Sequence, residues 1–444
     1  MGKGGSDRHG SVWSDTSSVL NFKSLKKDIK TDVLIIGGGM AGILCAYMLG
    51  QAGVDYVLVE ADTVCSGITK NTTAKITSQH GLVYHRLLKS LGTEKADLYL
   101  RANQEAVKKY TELCSGIECD FERKDAYVYS LDDPRVIAEE LDALQRLNFP
   151  AESVHQLPLP FPVAGAVRFT GQAQFHPLKF VNAIAKDLNI YEHTEVRELE
   201  GCTARTDSGV ITADKIIVAT HFPFINKHGS YFLKMYQHRS YVIALENAPD
   251  LDGMYVDQAQ NGMSFRNHDG LLLIGGGGHR TGKTGGSWEE LRRFALNYYP
   301  GSSERYHWAT QDCMTLDNVP YIGHYSKNTP NLYAAAGFNK WGMTSSMVSA
   351  MVLTALITEQ DSPYAALFSP SRTILRPQLA ANALEATMNL LTISSPRCPH
   401  LGCALKWNKQ EHTWDCPCHG SRFDSDGHLI DNPATGDLKK NPGR

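Results

Sequence analysis

The sequence predicts a mixed α/β protein: a domain built on a parallel sheet, a mixed or antiparallel sheet inserted into it, and a small all-β module at the C-terminus. Three observations predict it. A strand–helix–strand pattern with glycines at its first junction occupies 32–60. Short apolar runs separated by turn residues dominate 215–274. Four of the ten cysteines crowd, beside His400 and His419, into 398–419. At 444 residues the chain also exceeds the size at which a single core keeps growing, so several domains are expected.

Residues 1–30 are polar and read as a leader that packs poorly. DVLIIGGG at 32–39 is a β-branched strand ending in glycines, MAGILCAYMLGQAG has helical spacing, and VDYVLVE ending at Glu60 is a second strand. Helical patterns follow at 94–114, 134–147 and 177–188, with a proline-rich connector, LPLPFPVAG, expected to run extended. Strands are expected at 215–219, 240–245 and 271–274. NLYAAAG reads as a strand ending in glycine, and 342–358 as a helix leaving that turn. Pro363 and Pro370 mark a boundary, and QLAANALEATMNLL is a helical linker. The division is a leader 1–30, a main unit 31–372, a helical linker 373–395 and a module 396–444. Within the main unit, 31–90, 195–225 and 305–372 form the parallel-sheet part, and 91–194 and 226–304 the inserted part.

A net charge of -3 supplies no basic field for a phosphate backbone, which argues against a nucleic-acid partner. The most apolar stretch, 347–357, is interrupted by Ser349 and Thr354 and is too short to cross a bilayer. The first residues lack an apolar h-region, so a cytoplasmic location is expected.

Gly37, Gly39 and Gly42 form G-x-G-x-x-G between a strand and a helix, with Glu60 at the end of the next strand. Glycines let the backbone turn tightly and approach a pyrophosphate, while the helix start, at Met40 and Ala41, offers unpaired N–H groups and a partial positive charge. Glu60 would accept hydrogen bonds from the adenosine ribose. Strand, helix and acid together specify a Rossmann-like dinucleotide site, whereas the glycines alone would be a common turn.

The choice of dinucleotide comes from more distant residues: NTTAK at 71–75, the strand IIVATH at 216–221, DNVPYIG at 317–323 and GFNKWGMT at 337–344. In order and spacing these resemble the D-amino-acid oxidase superfamily of FAD-dependent oxidoreductases over roughly 32–372. The resemblance implies an FAD-binding Rossmann-like domain with an inserted substrate domain. It also implies cofactor contacts at Thr72, Thr73, Ala74, Lys75, Ala219, Thr220, Gly337, Lys340, Gly342, Met343 and Thr344. In that family the last segment turns beneath the isoalloxazine and starts a helix whose N-terminus faces the ring edge where reduction leaves negative charge.

Cys398 and His400 give C-x-H, and Cys416 and His419 give C-x-x-H. Two thiolates and two imidazoles, one of each per loop, suit a [2Fe-2S] cluster with Cys398 and Cys416 on one iron and His400 and His419 on the other. Four such ligands would also satisfy zinc, although zinc fingers pair like with like along the chain. The loops CPHLGC and CPCHGSRF resemble those of Rieske proteins. That resemblance implies a bridge between Cys403 and Cys418, for which two reduced thiols are the alternative, and a hydrogen bond from Ser421 to a cluster sulfide. Three features depart from the Rieske pattern. Phe423 replaces a tyrosine, Asn432 replaces the usual glycine, and only the helical 373–397 precedes Cys398, so the module is a Rieske-like sheet that looks truncated.

The two resemblances together imply oxidation of a small amine or amino-acid-like substrate by hydride transfer to FAD, then single electrons to the cluster and an external acceptor. Candidates to hold a substrate carboxylate are Arg239 and Arg266, with Arg280 beyond the glycines 275–278. Tyr241 could add a hydroxyl, and Lys340 could place a cation beside reduced flavin. Each also reads as a scaffold or surface residue. Two other readings remain open: a flavin oxidase using O2 with an empty or zinc-bound module, and a redox-sensing protein without turnover.

Overall fold

Strand Ile29–Ile36 buries most of its side chains because it lies inside a parallel sheet covered on both faces. The computed structural model describes residues 8–225, 227–373, 377–392 and 396–439. The sheet runs in the order Tyr321–His324, Leu332–Ala336, Gly209–Val218, Ile29–Ile36, Tyr56–Val59, Ile190–Tyr191. Ile29–Ile36 is parallel to both Gly209–Val218 and Tyr56–Val59. Helices Met40–Gln51 and Gly342–Ile357 are apolar on nearly every face, as helices enclosed by protein are, and they pack against each other. The predicted βαβ unit and the late strand and helix are therefore present.

The second sheet has ten strands, with Ser303–Thr315, Met235–Glu246 and Leu271–Arg280 at one end and Glu122–Ser130 and Gly165–Gln174 towards the other. Ser303–Thr315, placed by sequence in the dinucleotide-binding part, instead pairs antiparallel along the whole of Met235–Glu246. Leu271–Arg280 continues through its four glycines, with Gly277 at φ 59° where the register against Met235–Glu246 shifts.

From Arg8 onward the leader does not pack poorly. Arg8–His9 adds a parallel strand beside Tyr306 and His307, and helix Val12–Thr16 is capped by Ser11. Trp13 is wholly buried and its Nε1 donates to Thr72 O at 2.7 Å. A large aromatic inserted among polar neighbours anchors this segment, which average polarity concealed.

Helix Pro377–Leu391 lies where a helical linker was expected. After it come four short strands, Lys406–Asn408, Thr413–Asp415, Arg422–Phe423 and Leu429–Asp431, in an antiparallel meander. Among the described residues no strand of this sheet precedes Cys398. No helix of the described residues is long and apolar enough to cross a membrane.

Candidate active site and cluster site

Strand Ile29–Ile36 delivers Gly37 against the end of Gly209–Val218. A Cβ on Gly37 would lie 2.7 Å from Ala219 O, and one on Gly42 only 1.9 Å from Gly37 O. Only glycine permits the strand end, the turn and the helix start to converge this closely. Glu60 closes the site: its Oε2 accepts from Gly38 N–H at 2.6 Å and its Oε1 from Asp62 N–H at 3.0 Å. Burial pushes its pKa up, and these N–H bonds oppose the shift.

These residues wall a cavity of about 1450 Å³. That exceeds the roughly 300–1,000 Å³ of ordinary small-ligand pockets and suits a dinucleotide plus a substrate. Gly37, Gly39, Met40, Ala41, Glu60, Thr72, Thr73, Lys75, Ala219, Thr220, Lys340, Gly342 and Met343 line it. Gly42, Ala74, Gly337 and Thr344 lie behind the wall. Gly337 has φ 73°, and a Cβ there would strike Thr315 Cγ2 at 2.3 Å. Thr344 Oγ1 donates to Thr77 O at 3.1 Å.

Asn339 and Lys340 both adopt left-handed φ, 52° and 72°. The turn is held by Asn339, whose Oδ1 accepts from Thr315 N–H at 2.7 Å and whose Nδ2 donates to Gly337 O at 2.8 Å. Lys340 Nζ donates to Gln260 O at 3.2 Å. Burial lowers its pKa, while Asp312 pulls the other way. Sequence reasoning missed His80, which lines the cavity, stacks on Trp341 at 5.0 Å and meets Thr344 Oγ1 at 2.9 Å. Burial pushes His80 down to about 3, so the ring is neutral. No local signal marks it, because its partner stands 264 positions away.

The three arginines expected at a substrate carboxylate are committed elsewhere. Arg266 is buried over the Trp13 ring, its Nη1 donating to Thr73 O and Ala74 O at 2.8 and 3.0 Å. It braces the segment carrying the expected flavin contacts, and it helps burial push Lys75 down to about 7. Arg280 lies over Tyr236 and donates to Asn382 Oδ1 at 2.9 Å. Arg239 Nε donates to Glu411 Oε1 at 3.0 Å, and Nη2 pairs with Oε2 of the same carboxylate. The Tyr241 hydroxyl, although its residue borders the cavity, also donates to Glu411 Oε1, at 2.9 Å. A guanidinium or hydroxyl held this way is not available to a substrate.

Glu411 belongs to the C-terminal module and also accepts from Arg422 Nη2 at 2.7 Å. Burial alone would raise its carboxyl, but Arg239 and Arg422 hold it at about 2.

In that module Cys398 and Cys416 are buried and unbridged. The neighbouring Cys416, with backbone N–H groups of His400 and Leu401, holds the Cys398 thiol below its usual value against the burial that raises it. The His400 and His419 rings meet at right angles, 4.9 Å between centroids. Burial pushes them down to about 4 and about 3, which keeps both imidazoles neutral as metal ligation requires. His419 Nδ1 is buried with no hydrogen-bond partner among the described residues. Cys403 and Cys418 are joined by a disulfide, which resolves the alternative of two thiols. Their sulfurs lie within 4.8 Å of Cys416 Sγ, but the bridge removes both from ligation. Ser421 Oγ accepts from Ala434 N–H at 2.9 Å and faces Cys398. Phe423 fills the module core and brings no hydroxyl. The donor set fits a two-thiolate, two-imidazole cluster.

The shortened module rests on the larger domain. Gln311 Nε2 donates to Gly420 O at 2.9 Å, Gln237 Nε2 donates to His419 O at 3.2 Å, and Arg239 reaches Glu411. Residues 429–432 and 434–437 of the module form part of the wall of the dinucleotide cavity.

The FAD dependent oxidoreductase family matches residues 32–356, and the Rieske [2Fe-2S] domain matches 385–442. The chain belongs to the FAD-dependent oxidoreductase family and carries a C-terminal Rieske domain. Its cofactors are FAD and a [2Fe-2S] cluster. It is 34% identical over 491 aligned positions to the Rieske 2Fe-2S iron-sulfur protein YhfW of Bacillus subtilis (strain 168), covering 96% of each chain. Its fold is similar to glycine oxidase from Geobacillus kaustophilus: TM-score 0.66, 19% identity, 78% of this chain and 99% of that one. It is also similar to L-proline dehydrogenase from P. horikoshii: TM-score 0.65, 16% identity, 79% and 98%. The family fits the site, because the turn 338–343, Gly37, Gly39 and Glu60 face one cavity.

Proposed function

We propose that this enzyme oxidises a small amine or amino-acid-like substrate at a C–N bond and passes the electrons singly to its own Rieske cluster and on to an external one-electron acceptor. The observation that carries the reading is the shared wall: residues 429–432 and 434–437 of the Rieske module border the cavity that the dinucleotide-binding residues also line. The names of the structural neighbours, a glycine oxidase and an L-proline dehydrogenase, support an amino-acid-like substrate. FAD supplies the two-electron acceptor chemistry, and the cluster the one-electron chemistry.

The chain's own residues divide the remaining tasks. Gly37, Gly39 and the N-H groups at the start of helix Met40–Gln51 receive the pyrophosphate, and Glu60 receives the ribose. Thr72, Thr73 and Lys75, braced by Arg266, hold the segment beside the ring. Lys340 supplies the cation on the wall of that turn. The stacked His80 and Trp341 close the same side and exclude water. Cys398, His400, Cys416 and His419 hold the cluster.

The test is to mix the oxidised holoprotein anaerobically with glycine, L-proline and a wider amine panel while recording flavin absorbance and the EPR signal of the reduced cluster. Bleaching followed by the cluster signal is expected. Bleaching without it, with peroxide formed on admitting air or zinc found by metal analysis, would replace coupled transfer by a plain oxidase. A flavin that no amine bleaches would indicate a redox sensor without turnover.

A further inference from the structure

Two side-chain amides join the cluster loops to the dinucleotide wall. Gln237, buried on strand Met235–Glu246, donates from Nε2 to His419 O at 3.2 Å and to Asn432 O at 3.1 Å. Asn432 donates from Nδ2 to Thr220 O at 2.7 Å and Phe222 O at 2.9 Å. Thr220 follows Ala219, the residue against which Gly37 is packed. Thus His419, Gln237, Asn432 and Thr220 form an unbroken hydrogen-bonded sequence from a cluster ligand to the wall of the flavin cavity.

The approach leaves no slack. A Cβ on Gly420, beside His419, would lie 2.5 Å from Gln237 Cβ, and one on Gly282 would lie 2.7 Å from Pro417 Cα. Both bonds to Thr220 and Phe222 come from the Asn432 side-chain amide, so a residue without that amide could make neither.

We propose that Gln237 and Asn432 are positioning residues that clamp the cluster loops to the dinucleotide wall. The electron then crosses between the sites through a fixed contact within one chain, not by travel of the Rieske module. The inference rests on the coupled transfer argued above. Each crossing moves one electron from the reduced isoalloxazine to the oxidised cluster, with no bond between heavy atoms formed or broken. Protons lost from the ring pass to water. The external one-electron acceptor re-oxidises the cluster between crossings. Hydrogen-bonded contacts act here by holding two redox groups in one geometry, and small misplacements are costly.

The test uses the full-length holoprotein and the variants Gln237→Leu and Asn432→Gly. A laser flash on 5-deazariboflavin places an electron on the flavin, and its arrival at the cluster is followed by absorbance. Hydrogen exchange of 429–437 is measured in parallel. Both variants should slow the flavin-to-cluster phase about tenfold or more and raise exchange in 429–437, with iron content and cluster EPR spectrum unchanged. Wild-type rates and wild-type exchange in both variants would overturn the clamp. A wild-type protein in which the electron never reaches an intact cluster would overturn coupled transfer itself. Raised exchange in the variants would then still report the clamp as a docking contact.

Discussion

Arg239 of the flavin domain and Glu411 of the Rieske module form a two-pronged ion pair with side chains only 3% and 9% exposed. Arg422 joins the same carboxylate and also bonds Asp415 at 3.1 Å and Asp431 at 3.0 Å. Breaking a buried pair leaves an uncompensated charge, so Glu411→Ala should cost about 3–5 kcal/mol in chemical denaturation. The pair also sets a pH dependence. Glu411 has its carboxyl depressed from 4.5 to about 2 on folding. Its stabilisation is therefore complete above 4.5 and is lost as pH falls through about 2. Denaturation midpoints between those limits should fall with pH in the wild type and less steeply in Glu411→Gln.

Gly42→Ala should leave the protein without flavin. Its Cβ would sit 1.9 Å from the backbone oxygen of Gly37, an atom that cannot swing aside. Gly116→Ala, where a Cβ meets nothing within 4 Å, is the control. The visible flavin spectrum of the purified proteins decides between them.

Arg266→Met should weaken flavin binding, since the two bonds to Thr73 O and Ala74 O are lost. Hydrogen bonds from charged groups net roughly 1.5–3 kcal/mol each, so the dissociation constant should rise at least about tenfold. Flavin fluorescence titration of the apoprotein measures it. An unchanged constant would show that the brace on Thr73 and Ala74 does not bear on the flavin.

Cys398→Ser should abolish the cluster's EPR signal and iron content yet retain the flavin spectrum, because the ligand loops and the glycine junction are separate sites.

Trp13→Ala should lower stability by about 3–5 kcal/mol, the range for removing a buried large aromatic. It should also loosen Thr72, whose carbonyl accepts from the indole. Thermal melting with and without added FAD would register both effects.

The glycine junction was legible because its chemistry is local. Strand, turn, helix start and acid occupy 32–60, and each carries its own backbone requirement. The cluster loops were legible for the same reason, each bringing one thiolate and one imidazole within four residues. The arginines were not. A basic residue on a strand near a flavin site suits a substrate carboxylate as well as it suits a buried acid, and only the fold supplies Glu411, 172 positions from Arg239. The leader was misread because composition averages Trp13 with its polar neighbours, whereas burial acts on the indole alone.

The sequence by itself determined the two cofactor sites and the order of their domains, since backbone conformation and ligand type are written within short segments. Tertiary structure alone decided how the sites meet. The Rieske module brings little sheet of its own and leans on Gln237, Arg239 and Gln311, and its residues 429–432 and 434–437 complete the wall of the flavin cavity. Those contacts join residues more than a hundred positions apart. Their partners are chosen by packing and by the cost of leaving buried polar groups unpaired, which no local pattern encodes.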